Sequence, residues 1–187
     1  MPAVGEEEGF LRRVREGEAA ALEEFWQRFG ARITAYAATR LAGDEELVEE
    51  MMVQTLAAAV RSIASFDARR SSLSAWVYGV ARRVIGLELR KQRKRSSVPA
   101  AAKVALDETI GQQAEQDLTS RLEAQRQVRA LAAALSQAEM EVLTLHFVDE
   151  FSVKEIAQIV GRSWRAVDSL LHRAKQKARE RLEKDGN

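Results

Sequence analysis

The chain has no cysteine, two prolines and two histidines in 187 residues. Without cysteine there is neither a disulfide framework nor a thiolate metal site, a usage that fits a reducing compartment. The histidines, His146 and His172, are far apart in sequence. No Gly-rich phosphate loop and no acidic cluster at helical metal spacing accompanies them. An enzyme is therefore disfavoured, no catalytic residue is assigned, and neither a metal nor a cofactor is expected. No apolar run approaches the roughly 20 residues that cross a bilayer. The acidic opening around Glu6, Glu7 and Glu8 lacks the apolar segment of a signal peptide. The expectation is a cytoplasmic protein without membrane insertion. Short alternating Val/Ile/Thr runs are missing too, while Ala, Leu, Glu and Arg dominate. The expected fold class is all-α.

Charge is abundant but unevenly placed. The formal net charge is only +1. Residues 19–60 carry 3 basic and 7 acidic side chains, whereas residues 61–95 carry 10 basic and 2 acidic. Residues 96–125 return to 2 against 5, and residues 151–182 hold 8 basic and 3 acidic. Two basic blocks separated by an acidic stretch are the footprint of a chain that touches a polyanion at two places. A single such block would read as a solvated face.

The second block falls on the most informative stretch, Phe151 to Leu182. Val153, Ile156, Ala157 and Val160 form one apolar stripe at helical period. Ser152 is placed to cap that helix, and Gly161 to close it in the left-handed geometry. Ser163 is placed to cap a second helix, with Val167, Leu170, Leu171, Ala174 and Ala178 on one side. Arg165, Asp168, His172, Arg173, Lys175 and Lys177 lie on or around the other. Two helices joined by a short Gly-containing turn, the second one basic, form the pattern of a DNA-binding helix-turn-helix. An ordinary helical bundle with a solvated basic face has the same local pattern, so the rest of the chain must decide.

In chain order, a short helix is expected near Phe10 to Arg15. A long one follows to about Leu41, with Leu22, Phe25, Trp26, Phe29, Ile33 and Tyr36 toward the core. Asp44 is placed to cap a helix over Glu45 to about Ser62. Leu47, Met51, Leu56 and Val60 are its expected apolar side, completed by Met52, Thr55 and Ala59, and Glu46, Glu49, Glu50 and Gln54 form its polar one. Ser65 to Ser74 reads as a polar loop. The next helix has Trp76, Val80, Val84 and Leu87 at steps of three and four and ends in a basic run to Arg95. Residues 96–118 lose the periodic pattern and read as a flexible linker. From Thr119 the pattern returns through Leu122, Val128, Leu131, Ala132 and Leu135 to a break at Ser136. A helix through Met140, Leu143 and Phe147 precedes the helix-turn-helix. The expected architecture is two small helical domains, 1–95 and 119–187, joined by the 96–118 linker, the second containing the helix-turn-helix.

Three strings, Gly43–Thr55, Phe66–Arg83 and Leu135–Leu182, occur in an order and spacing that resemble the extracytoplasmic-function (ECF) sigma factors. These are the smallest sigma-70-type initiation factors of bacterial RNA polymerase. The Ala-Trp-Val-Tyr-x-Val-Ala-Arg and Val-Asp-Ser-Leu-Leu-His-Arg-Ala runs carry the likeness most specifically. The resemblance implies that Glu49, Glu50, Met51, Gln54 and Thr55 dock on the largest subunit of core polymerase. It implies that Phe66, Asp67, Arg69, Arg70, Ser71 and Ser72 hold a base flipped from the −10 single strand. Trp76, Arg82, Arg83 and Arg90 would support or flank that strand. The second domain would sit on the second-largest subunit. Arg162, Ser163, Trp164, Arg165, Asp168, Ser169, His172, Arg173 and Lys175 would face the double-stranded −35 element.

Physical reasoning fits these roles. A melted strand needs a positive surface and a pocket for an extruded base. A recognition helix reads bases with its N-terminal side chains while other cations fix register on phosphate. Arg165 is the first candidate for a base contact, and Arg173, Lys175 and Lys177 for phosphate. An anti-sigma protein is a further partner the resemblance implies. The competing reading is a sigma-like mimic that sequesters an anti-sigma protein without binding DNA. Such a mimic would be free to lose the basic block 82–95. A plain helix-turn-helix repressor would leave the first domain unexplained.

Overall fold

The computed structural model describes residues 4–41, 44–95 and 133–185, and all regular structure among them is helical. The chain divides into two compact units, Met1–Lys103 and Val104–Asn187. The expected linker 96–118 and the helical pattern over 119–132 lie outside the described residues.

The first unit contains α1 (Val4–Arg15), α2 (Ala19–Leu41), α3 (Glu45–Ser62), a 3-10 turn (Ile63–Ser65) and α4 (Leu73–Arg95). Helix α1 stops where Gly17 takes φ +73°. The Gly17 N–H then bonds the Val14 carbonyl and the Glu18 N–H that of Arg13, the paired bonds that close a helix end. Asp44 starts α3 by accepting the Leu47 N–H at 3.1 Å. Phe10, Phe25, Phe29, Ile33, Tyr36, Val77, Tyr78 and Ile85 fill the interior. Phe25 and Phe29 lie 4.8 Å apart, and Tyr36 meets Tyr78 at 5.2 Å across α2 and α4.

Three expectations about this core are corrected. Trp26 is 42% exposed. Its ring lies along α2 beside Gly30, where a Cβ would meet the indole Nε1 at 3.6 Å. In α3 the expected Met51, Thr55, Leu56 and Ala59 are buried, but they are joined by Val48, while Leu47, Met52 and Val60 are only half-buried. In α4 the buried side is Leu73, Ala75, Val77, Tyr78, Val80, Ala81 and Ile85, so that of the expected stripe Val80 is buried, Trp76 and Val84 are half-buried and Leu87 is exposed. A central helix touched on two sides buries a wide arc, so a single stripe of threes and fours names only part of it.

The second unit contains α5 (Gln137–Phe147), α6 (Val153–Val160) and α7 (Trp164–Asp185). Helices α5 and α6 each begin with a capping box, Ser136 with Glu139 and Ser152 with Glu155. Gly161 closes α6 at φ +67°, and Ser163 Oγ accepts the Ala166 N–H at 3.3 Å to start α7. The core joins Leu135, Val142, Leu145, Phe151, Ile156, Ile159, Val160, Val167, Leu170, Leu171 and Ala174. The expected helix through Met140, Leu143 and Phe147 is α5, which buries Val142 and Leu145 while Met140 and Leu143 are half-buried and Phe147 is exposed.

Candidate nucleic-acid interface

In the first unit the 66–72 loop is held from both ends. Phe66 is buried, its ring 5.6 Å from that of Trp76. The Asp67 carboxylate accepts the Arg69 N–H at 2.9 Å, and the Asp67 carbonyl accepts from Arg70 at 3.0 Å and Ser71 at 3.3 Å. Ser72 caps α4, accepting the Ala75 N–H on its hydroxyl and the Trp76 N–H on its carbonyl. Phe66, Asp67 and Ser72 therefore build the loop, and what they leave exposed is Arg69 and Arg70, with Ser71 half-buried. An ordered, positively charged loop of this kind presents cations without first having to order itself.

Helix α4 extends this surface. Trp76, Arg83, Leu87, Arg90 and Lys94 follow at helical spacing along one side, a line of about 27 Å at 1.5 Å per residue. Trp76 is half-buried and the other four are exposed. Leu87, expected in the core, sits between two arginines of this stripe. Arg90 folds back so that its Nε donates to the Gly86 carbonyl at 3.0 Å. Arg82 lies beside the stripe and is half-buried.

The α3 residues expected to dock on polymerase divide. Glu49, Glu50 and Gln54 are exposed, and Gln54 Nε2 donates to Glu50 at 2.8 Å. Val53, 42% exposed, lies among them. Met51 and Thr55 are on the opposite side, buried in the unit. Their part is to pack α3, because a side chain inside the core has no surface to offer a partner. The Thr55 hydroxyl has no hydrogen-bond partner among the described residues.

The second unit brings its whole expected site to the surface. Arg162, Ser163, Trp164, Arg165, Asp168, Ser169, His172, Arg173 and Lys175 are all exposed, while Val167, Leu170, Leu171 and Ala174 face inward. Arg165, Ser169, His172 and Gln176 share the outermost line of α7, with Arg173 to one side and Lys175 to the other. Gln176 was not among the expected residues, although its spacing from Arg165 and His172 places it on their face. The α7 first turn contains no acidic residue. The Arg165 guanidinium lies 5.5 Å from the Trp164 ring, and Lys175 Nζ lies 5.0 Å from the Phe147 ring.

Lys177 departs from its expected phosphate role. Its Nζ donates to both carboxylate oxygens of Glu139, at 2.8 and 3.0 Å. Glu139 is 4% exposed and also accepts from the backbone N–H and hydroxyl of Ser136. The Lys177 bond, then the Ser136 backbone bond, hold the Glu139 carboxyl down to about 2 from its usual 4.5. Lys177 thus ties α7 to the start of α5. His146 is half-buried, and its Nδ1–H donates to the Phe151 carbonyl at 3.1 Å, a packing role that fixes the turn into α6.

Residues 25–95 match the family described as Sigma-70 region 2, and residues 125–177 the family described as Sigma-70, region 4. The chain is 26% identical over 166 residues to the ECF RNA polymerase sigma factor BldN of Streptomyces coelicolor, covering 88% of this chain and 61% of that protein. It therefore spans about three-fifths of that relative's length. It is 27% identical over 164 residues to the RNA polymerase sigma factor YlaC of Bacillus subtilis, covering 88% of this chain and 93% of that one. Among solved structures it is similar to CnrH in complex with the cytosolic domain of CnrY, at TM-score 0.64 and 22% identity, over 94% of this chain and 96% of the other. It is also similar to the sigma factor RpoE in complex with the anti-sigma factor NepR from Bartonella quintana. There the TM-score is 0.63 and the identity 22%, over 86% of this chain and 96% of the other. At that identity both likenesses concern the fold.

Proposed function

Because this chain belongs to the sigma-70 superfamily as an ECF RNA polymerase sigma factor, we propose that its two basic surfaces take two forms of promoter DNA. The first unit binds core polymerase through the exposed α3 face of Glu49, Glu50 and Gln54. Its 66–72 loop captures an unstacked base of the −10 strand, and the α4 stripe carries the phosphates that follow. The second unit sets α7 into the major groove at the −35 element. The observation that carries this reading is the tandem order of a region-2 and a region-4 match, each with a basic surface free of core packing.

The division of labour follows from the chemistry of each surface. Extruding a base costs a few kcal/mol of stacking, so opening needs a site that holds the base once it is out. Arg69 and Arg70 supply charge there and Trp76 supplies apolar surface beside it, while Leu87 lies about 16 Å further along α4. On α7, Arg165 is the residue for a base edge, since Arg pairs in bidentate fashion with guanine in the major groove. Arg173 and Lys175 flank that line, where phosphates run. The role requires no catalysis by this chain, because bond formation belongs to the polymerase. It places the protein in the cytoplasm with its polymerase. Among the described residues no helix is long and apolar enough to cross a membrane. The RpoE likeness, solved with an anti-sigma factor, supports an anti-sigma protein as a regulatory partner.

Strand opening tests the capture site. A double variant, Arg69→Ala with Arg70→Ala, is expected to form closed complexes with core and promoter normally. A fluorescent adenine analogue in the −10 strand should then brighten more slowly and less fully. Normal opening by that variant on a linear template would remove the loop from the mechanism.

A further inference from the structure

Trp164 is the one exposed tryptophan of the second unit among its described residues, 55% accessible. A large aromatic left in water adds little to the core, and at the first position of α7 it is one residue from the arginine best placed to read a base. Its ring does have a neighbour, the Arg165 guanidinium at 5.5 Å, within the range of a cation–π contact. Arg165 forms no ion pair among the described residues, so this ring is what restrains it. An unrestrained arginine samples many rotamers and loses that freedom on binding, whereas one lying on a ring is already confined. The setting sharpens the need. Arg165 sits at the positive end of the helix dipole, in a first turn with no carboxylate to hold it.

We propose that Trp164 is a positioning residue for promoter specificity. Its indole holds the Arg165 guanidinium in the orientation that reads one −35 base pair, and the two side chains act as a single reading head. The proposal rests on the region-4 reading of the second unit and names a determinant of its specificity. Trp164 acts through Arg165, so its loss flattens the preference that Arg165 creates. An aromatic ring of another kind supplies the same platform.

The test is a base-preference profile measured with holoenzyme reconstituted from bacterial core polymerase and the full chain. The probe is a duplex pool with a block randomised at the −35 position, followed by a fixed downstream promoter sequence. Wild type, Trp164→Ala, Trp164→Phe, Arg165→Ala and the double alanine variant are compared, with thermal unfolding confirming that each is folded. Trp164→Ala is expected to reduce discrimination by about two- to fivefold, the size of an exposed cation–π contact. The loss should fall at the same base pair that Arg165→Ala affects. Trp164→Phe should retain most of the discrimination, and the double variant should be no worse than Arg165→Ala alone. A Trp164→Ala profile equal to wild type would overturn the proposal, as would a loss at a different base pair or additive losses in the double variant. If wild type shows no preference at any −35 position, the region-4 reading fails and the proposal with it. A preference erased by Arg165→Ala but untouched by Trp164→Ala sinks the proposal alone.

Discussion

The two units solve the same problem, exposing cations on a folded surface, with different materials. In the first, the candidate site and the scaffold share residues. Phe66 is buried against Trp76, Asp67 bonds the backbone of its own loop, and Ser72 caps α4. In the second they are separate. The scaffold is two capping boxes, a left-handed glycine, the Ser163 cap of α7 and the Glu139–Lys177 pair, and of the nine expected α7 and turn residues all but Ser163 stand outside it. The first unit is also packed with aromatics, whereas Phe151 is the single buried aromatic among the described residues of the second. The lesson is that function and stability should be entangled in the first unit and separable in the second.

The largest effect that would sharpen this contrast is Phe66→Ala. Removing a buried ring costs about 3–5 kcal/mol, and the same change should slow strand opening because the loop loses its anchor. Chemical denaturation and the fluorescent opening assay check both, and impaired opening with unchanged stability would break the entanglement. Next is acid. Glu139 has a folded pKa of about 2 against 4.5, so its stabilisation is complete above pH 4.5 and is lost as the pH falls toward 2. With Lys177 half-exposed and screened by solvent, that amounts to about 1–2 kcal/mol in the second unit. Helicity followed by circular dichroism from pH 6 to 2 should show it, and Lys177→Met should shrink the pH-dependent part, since Lys177 is its main cause. An acid profile unchanged by Lys177→Met would detach that pair from the scaffold.

Smaller effects probe separability. Gly161→Ala leaves the new Cβ in open space, so its cost is backbone strain alone, about 1 kcal/mol, measurable as a lower melting temperature. Arg165→Glu should do the opposite, stabilising the unit by about 0.3–1 kcal/mol by placing a carboxylate at the helix N-terminus while abolishing −35 preference. A variant that is more stable and yet blind to sequence would be the clearest sign that α7 trades stability for reading. A destabilised Arg165→Glu would place Arg165 in the scaffold.

The same difference explains what was legible in the sequence. The second unit is held by local devices, and Ser152, Gly161 and Ser163 announce a capped helix, a turn and a second cap within a dozen residues. The exposed α7 face follows from its period alone. The first unit is held by contacts distant in sequence. Nothing near Trp26 reveals that it lies on the outside beside Gly30, or that Leu87 interrupts a basic stripe while Tyr78 goes inward to meet Tyr36. The helical period puts Met51 and Thr55 on the apolar side of α3, where the structure buries them, and only the family resemblance implies a docking role for them. On a helix, adjacent residues point about 100° apart. Lys177 had no local signal at all, because its partner Glu139 lies 38 positions away.

The central claim is that these two surfaces together start transcription. Run-off transcription with bacterial core polymerase, with and without the protein, on duplex DNA from upstream of its own gene tests it most directly. The account predicts discrete start sites that appear only when the protein is added, each preceded by a shared pair of −10 and −35 sequences. Identical transcripts with and without the protein, together with no co-elution with core polymerase, would contradict it.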